Sequence, residues 1–201
     1  MAIIITKVAK TLVSLTLALV IMHSSMVHGQ VMSSERCPSN IEVMPCFDIC
    51  QYMGNWYEYA KYPTYFETSG VCVKAEYWLK DDGSSVGIKN SLVNATNGSY
   101  QEIQGTGTVV SNGKLLINFP VSASYEVCSN YWVLDTDYTT YSVVYSCQNL
   151  ENGQGSSTSL WILTRDHLPL LSSIEKAATV IRKNGLSLDP LFFTNQLDCC
   201  N

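Results

Sequence analysis

The sequence predicts an all-β chain: eight consecutive antiparallel strands in an up-and-down β-barrel, a calyx, with one C-terminal α-helix packed outside it. Three observations carry this. Turn signals recur about every 8–12 residues, and the stretches between them alternate apolar and polar side chains. The chain is also rich in residues that suit a pleated surface, with 12 Tyr, 5 Phe and 4 Trp. The pattern places strands at 54–62, 71–80, 85–93, 100–110, 113–121, 127–136, 139–147 and 157–165. Asp81-Asp82-Gly83, Asn97-Gly98, Asn112-Gly113 and Glu151-Asn152-Gly153 punctuate them. Eight such strands suit a sandwich or a barrel. Closing them on themselves removes every edge and leaves an interior that side chains fill or one small ligand occupies. From Pro169 to Asn184 the apolar residues Leu170, Leu171, Ile174, Ala177, Ala178 and Ile181 recur at helical spacing, and Gly185 supplies a stop.

Upstream, Lys7 and Lys10 precede an apolar run from Leu12 to Met22, and Gly29 ends the stretch before Gln30. Residues 1–29 read as a secretory signal peptide and 30–201 as one domain, within the roughly 100–200 residues a single core encloses. The apolar run is shorter than the roughly 20 residues that span a bilayer, so no membrane span is expected. Without the two leader lysines, 10 Lys+Arg face 17 Asp+Glu, which argues against nucleic acid or an anionic membrane as partner. His23 and His28 fall in the leader, leaving His167 alone, so no multi-histidine metal site is expected. Eight cysteines without a Cys-x-x-Cys, in an oxidising compartment, read as a disulfide framework and not a zinc site.

Gly54-Asn55-Trp56-Tyr57-Glu58, Thr136-Asp137-Tyr138 and Arg165 stand in the order and at the strand ends of the three lipocalin motifs. From Cys37 to Cys199 the chain resembles that family. It looks most similar to the apolipoprotein D-like branch, which includes the insect biliverdin-binding proteins. Cys37-Pro38, Lys61-Tyr62-Pro63-Thr64-Tyr65-Phe66-Glu67, Tyr131 through Tyr138, Tyr145-Ser146-Cys147 and Thr194 through Cys199 carry this likeness. The resemblance implies a secreted, extracellular carrier of small hydrophobic molecules, and the fold alone does not name the molecule. It implies that Gly54, Trp56, Thr136, Asp137, Tyr138 and Arg165 are architectural, with Arg165 stacked on Trp56 at the closed end of the barrel. It implies the disulfides Cys37–Cys147 and Cys72–Cys199. Cys46, Cys50, Cys128 and Cys200 are left with three possible pairings, and strain disfavours a vicinal Cys199–Cys200 bond.

Because residues i and i+2 of a strand share a face, counting from Trp56 puts Glu58, Ala60 and Tyr62 inside on the first strand. Ala75 and Tyr77 follow on the second, and Asn90 and Leu92 on the third. The far wall takes Ile103, then Leu115, Ile117 and Phe119, then Val127, Ser129, Tyr131 and Val133, then Val144 and Ser146, then Ser159 and Trp161. All of these except Ala60, Ala75, Leu115 and Val133 are candidate ligand contacts, an apolar and aromatic set with a few polar groups, as small-molecule sites have. Glu58 is the one charge expected inside. It anchors a pyrrole nitrogen or an amine of a ligand, or bonds to neighbouring strand or plug groups. The resemblance makes biliverdin or a similar bilin pigment the leading ligand, with carotenoid, sterol or fatty acid behind it. The alternative is an interaction scaffold or inhibitor with a packed barrel, presenting Leu191-Phe192-Phe193. No catalytic residue or catalytic cofactor is expected: His167 falls outside the barrel, and Cys72 is committed to a disulfide. Asn94-Ala95-Thr96 and Asn97-Gly98-Ser99 are N-glycosylation sequons, of which one is expected to be used. Oligomeric state is left open.

Overall fold

The computed structural model describes residues 31–63, 70–151 and 153–199. The expected leader at 1–29 lies outside the described residues, as do residues 64–67 of the segment after the first predicted strand, and Cys200. Eight long strands follow one another: β2 (Gly54–Lys61), β3 (Gly70–Leu79), β4 (Ser85–Asn94), β5 (Tyr100–Ser111), β6 (Lys114–Ser122), β7 (Tyr125–Thr136), β8 (Tyr141–Asn149) and β9 (Ser156–Thr164). Each pairs antiparallel with its neighbour in sequence, and β9 returns to β2, so the sheet closes. Closure pairs the edges that an open sheet would present to other chains. Short pieces complete the fold: β1 (Val31–Ser33) on the edge of β9, α1 (Ile49–Tyr52) just before β2, and β10 (Phe192–Phe193) on β2. The two short strands carry too few residues to display a period, so alternation does not find them.

The C-terminal helix α2 (Leu171–Lys183) lies against β8 and β7 and buries Ser173, Ala177 and Ile181. Leu170 is its extended N-cap, so the helix starts after Pro169 and Leu170, not at them. Arg182 and Lys183 occupy the last turn, where their charge suits the negative end of the helix.

Apolar side chains form two clusters, one on each side of the barrel wall. The outer one joins Leu134, Val143, Tyr145, Leu160 and Ile162 to Ala177 and Ile181 of α2. The inner one contains Trp56, Tyr77, Val86, Ile88, Leu115, Tyr131, Val133, Val144 and Leu163, with Tyr52 from α1. Strand β9 shows the period plainly, with Leu160 and Ile162 outside and Trp161 and Leu163 against the inner cluster.

A β-bulge in β2 corrects the count along that strand. Glu58 stands opposite Leu163 and Ala60 opposite Ile162, so one extra residue of β2 intervenes. Directly opposed residues share a face. Glu58 therefore stays inside with Leu163, Ala60 goes outside with Ile162, and Lys61, opposite Trp161, comes inside. Tyr62, expected in the cavity, belongs to the outer cluster, where its hydroxyl donates to the Ser187 carbonyl. It is not a cavity residue.

Both long-range disulfides are present. Cys37–Cys147 ties the segment before α1 to β8, and Cys72–Cys199 ties β3 to the C-terminal segment. Among the described residues Cys46, Cys50 and Cys128 are exposed and form no disulfide.

Candidate functional site

One end of the barrel is sealed by the three motif segments acting together. Asp48 caps α1, accepting from the backbone of Cys50 at 2.9 Å and Gln51 at 3.3 Å, while the Gln51 amide donates back to it at 2.8 Å. This capped turn delivers Tyr52 to the barrel floor, and the Trp56 indole donates to the Tyr52 carbonyl at 2.9 Å. Trp56 is fully buried. The Arg165 guanidinium lies 3.8 Å from its ring centroid, a cation–π contact worth roughly 0.5–2 kcal/mol. Arg165 also donates to the carbonyls of Asn55 (2.7 Å), Tyr138 (2.9 Å), Met53 (2.9 Å), Gln51 (3.2 Å) and Tyr52 (3.3 Å). Gly54 has φ +97° where this side chain passes, and a Cβ there would stand 3.3 Å from Arg165 Nη1.

Between β7 and β8, Asp137 Oδ1 accepts from the backbone of Thr139, Thr140 and Tyr141. Burial opposes ionisation of this carboxyl, but the Thr140 side-chain and the backbone hydrogen bonds outweigh it and hold its pKa below the usual carboxylate range. Thr136 Oγ1 donates to the Tyr141 carbonyl and accepts from the Tyr138 backbone. Tyr138, at φ 65°, accepts from the Asp48 backbone through its hydroxyl, which ties this turn to α1.

Next to Trp56 lies a layer of hydroxyls. Tyr52 Oη is 2.8 Å from Tyr131 Oη and 3.0 Å from Ser142 Oγ, and Tyr77 Oη donates to Tyr131 Oη at 3.0 Å. Burial pushes Tyr52 up to about 12 and raises Tyr77 and Tyr131 as well. Tyr77 and Tyr131 thus face the interior with their polar tips engaged with each other. Val144, with no exposed surface, packs at this level against Val133 and Leu163.

Farther along the strands, the inward positions Asn90, Leu92, Ile103, Ile117, Phe119, Val127, Ser129, Ser159 and Trp161 are only partly buried. They face inward yet are reached by solvent, unlike the fully buried positions at the floor. Gly105 makes room on this wall: a Cβ there would stand 2.5 Å from the Asn118 carbonyl and 2.6 Å from the Phe119 ring. Phe119 therefore occupies the room the glycine leaves. On the β7–β8 side, Ser129 Oγ is 2.9 Å from Ser146 Oγ, and Ser146 donates to Asn130 Oδ1 at 2.7 Å.

Glu58 and Lys61 are both buried and form an ion pair at 3.0 Å. Thr194 donates to Glu58 Oε1 at 2.5 Å. The Gln196 amide donates to the carbonyls of Glu58 (3.0 Å) and Val73 (2.7 Å), bridging β2 and β3 where their own pairing has ended. Glu58 thus bonds to neighbouring protein groups. Lys61 and Thr194 of the C-terminal segment are among its partners.

Lys61, Tyr52, Ser142, Thr194 and Gln196 are the site residues that sequence reasoning misses. Tyr52 carried a signal, since Asp48 and Gln51 stand at capping-box spacing. Lys61 carried none, because Tyr59-Ala60-Lys61-Tyr62 fits either phase of a strand.

His167 lies outside the barrel, its ring 3.8 Å from that of Tyr57, beside a surface groove of about 490 Å³ that Tyr59, Phe193 and Leu197 also line. Among the described residues no group of His, Cys, Asp and Glu is arranged to hold a metal ion, and no helix is long and apolar enough to cross a membrane.

A closed eight-stranded calyx with a Trp–Arg plug and an outer helix defines a lipocalin architecture. A family model described as the lipocalin-like domain matches residues 47–196, and the chain belongs to the lipocalin family. The Lazarillo protein of Schistocerca americana is 31% identical over 192 residues, which cover 94% of this chain and 86% of that protein. Apolipoprotein D of Macaca fascicularis is 33% identical over 175 residues, 85% of this chain and 88% of its own. Among solved structures, insecticyanin from the tobacco hornworm Manduca sexta superposes with a TM-score of 0.74 at 26% identity, covering 83% of this chain and 89% of its own.

Proposed function

We propose that this protein is a secreted carrier that sequesters a small hydrophobic ligand in the open half of its barrel, without chemistry, and that the ligand is biliverdin or a similar bilin. The observation that carries the reading is the inner wall itself. Ile103, Ile117, Phe119 and Trp161 face inward but are only partly buried, above a floor that the Trp56–Arg165 plug and the tyrosine layer close. Apolar and aromatic walls with a few polar groups are what a flat, conjugated lipophile requires. The preference for a bilin over carotenoid, sterol or fatty acid rests on the motifs shared with the branch that includes insect biliverdin-binding proteins. The leader reading and two long-range disulfides support an extracellular location. We assign N-glycosylation to Asn97, which is exposed, over Asn94, which is half-buried.

The test is to purify the protein from its native source and record its visible spectrum and the mass spectrum of its organic extract. A bilin absorption band and the matching mass support the reading. Protein that is colourless and yields no lipophile favours the interaction-scaffold alternative.

A further inference from the structure

Within the proposed carrier function, on which this inference rests, we infer that Asn90 selects the ligand: the cavity takes lipophiles that present an N–H or O–H donor to the Asn90 carbonyl. Asn90 as a whole is only partly buried, but its Oδ1 atom is buried and has no hydrogen-bond partner among the described residues. The ladder explains why the neighbouring strands supply none. Asn90 stands opposite Ala75 on β3 and Ile103 on β5, and its neighbours on the same face of β4 are Ile88 and Leu92. All four are hydrocarbon. Across the barrel, Ser146 spends its proton on Asn130 Oδ1, and Ser129 is bonded to Ser146 and the Asn130 carbonyl. Those serines therefore hold each other, and Asn90 stands apart from them as a polar group of the inner wall with an unmet acceptor.

An unpaired buried carbonyl is costly, and a donor arriving on a ligand recovers that cost. Ala75 and Tyr77 share the inner face of β3 two residues apart, so Asn90 stands one step, roughly 7 Å, above the position where Ile88 faces Tyr77. A ligand resting on the tyrosine layer therefore meets Asn90 along its flank and not at its tip. This favours molecules with donors in mid-structure, as a linear tetrapyrrole has at its pyrrole and lactam nitrogens. It gives no advantage to a polyene hydrocarbon or to a fatty acid, whose only polar group is terminal.

The test uses leader-free protein and the substitutions Asn90→Leu and Asn90→Ala, with biliverdin and β-carotene as probes. Each variant should bind biliverdin about tenfold more weakly than the unsubstituted protein and β-carotene equally well. Ligand-free Asn90→Leu should melt at a higher temperature, because an unmet polar group has been replaced by hydrocarbon of similar size. Should Asn90→Leu fail to fold, Asn90→Ala carries the binding comparison alone. Equal biliverdin affinity in the variants and the unsubstituted protein overturns the role of Asn90 while leaving the carrier reading intact. Failure of the unsubstituted protein to bind any lipophile overturns both.

Discussion

At the scale of single residues, Arg165 holds the closed end. Its five carbonyl acceptors span Gln51 to Asn55 and reach Tyr138, so one side chain fastens α1, the start of β2 and the β7–β8 turn. Arg165→Ala takes this donor from all five carbonyls, of which Tyr52's keeps the Trp56 indole, and uncovers Trp56. It should cost about 2–4 kcal/mol, read as a lower denaturation midpoint at unchanged slope. A loss below about 0.5 kcal/mol would contradict the plug. Gly105 makes the complementary case. A methyl group there meets the Asn118 carbonyl and the Phe119 ring, so Gly105→Ala should destabilise by about 1–3 kcal/mol and weaken ligand binding by displacing Phe119. Wild-type stability and affinity in that variant would show that Phe119 does not depend on the space.

At the scale of elements, the tyrosine layer makes the fold sensitive to alkali. Tyr52, Tyr77 and Tyr131 have pKa values raised by burial, Tyr52 to about 12, so the folded state holds protons that the unfolded chain releases near pH 10. Their contribution to stability is complete below about pH 10 and is lost as pH rises toward 12 and beyond. Denaturation midpoints should fall across that window, with a fraction of the tyrosine absorbance change at 295 nm appearing only on unfolding. Ionisation of all 12 tyrosines near pH 10 in the folded protein would refute this. The strands themselves were legible in the sequence because turn residues and period-two alternation are local signals, and the boundaries shift by no more than two residues. Tyr62 was misplaced because a bulge inserts one residue without altering the apolar pattern: Ala60 and Tyr62 suit either face, and only the pairing with Ile162 and Trp161 reveals the phase. The partners of Glu58 were illegible for a different reason. Thr194 and Gln196 are more than 130 residues away in sequence and follow a two-residue strand, where no period exists.

At the scale of the whole molecule, the C-terminal segment completes the barrel. β10 pairs with β2, the Asn195 carbonyl accepts from Cys72, Gln196 bridges β2 and β3, and Cys72–Cys199 locks the arrangement. Replacing Cys72 and Cys199 together by serine reopens a loop with a sequence separation of 127 and should cost up to about 4–5 kcal/mol. Limited proteolysis should then cut first in the C-terminal segment, and an unchanged cleavage pattern would show that the segment does not need the bridge. The measurement that reaches the central claim most directly is titration of leader-free protein with biliverdin and with a panel of carotenoids, sterols and fatty acids. The partly buried Trp161 on the cavity wall reports binding. Its fluorescence should be quenched as a shifted visible band appears, with a Kd near or below about 1 μM for biliverdin, and Trp161→Ala should weaken the complex. If no member of the panel binds more tightly than about 100 μM, roughly −5.5 kcal/mol, the barrel is not a carrier.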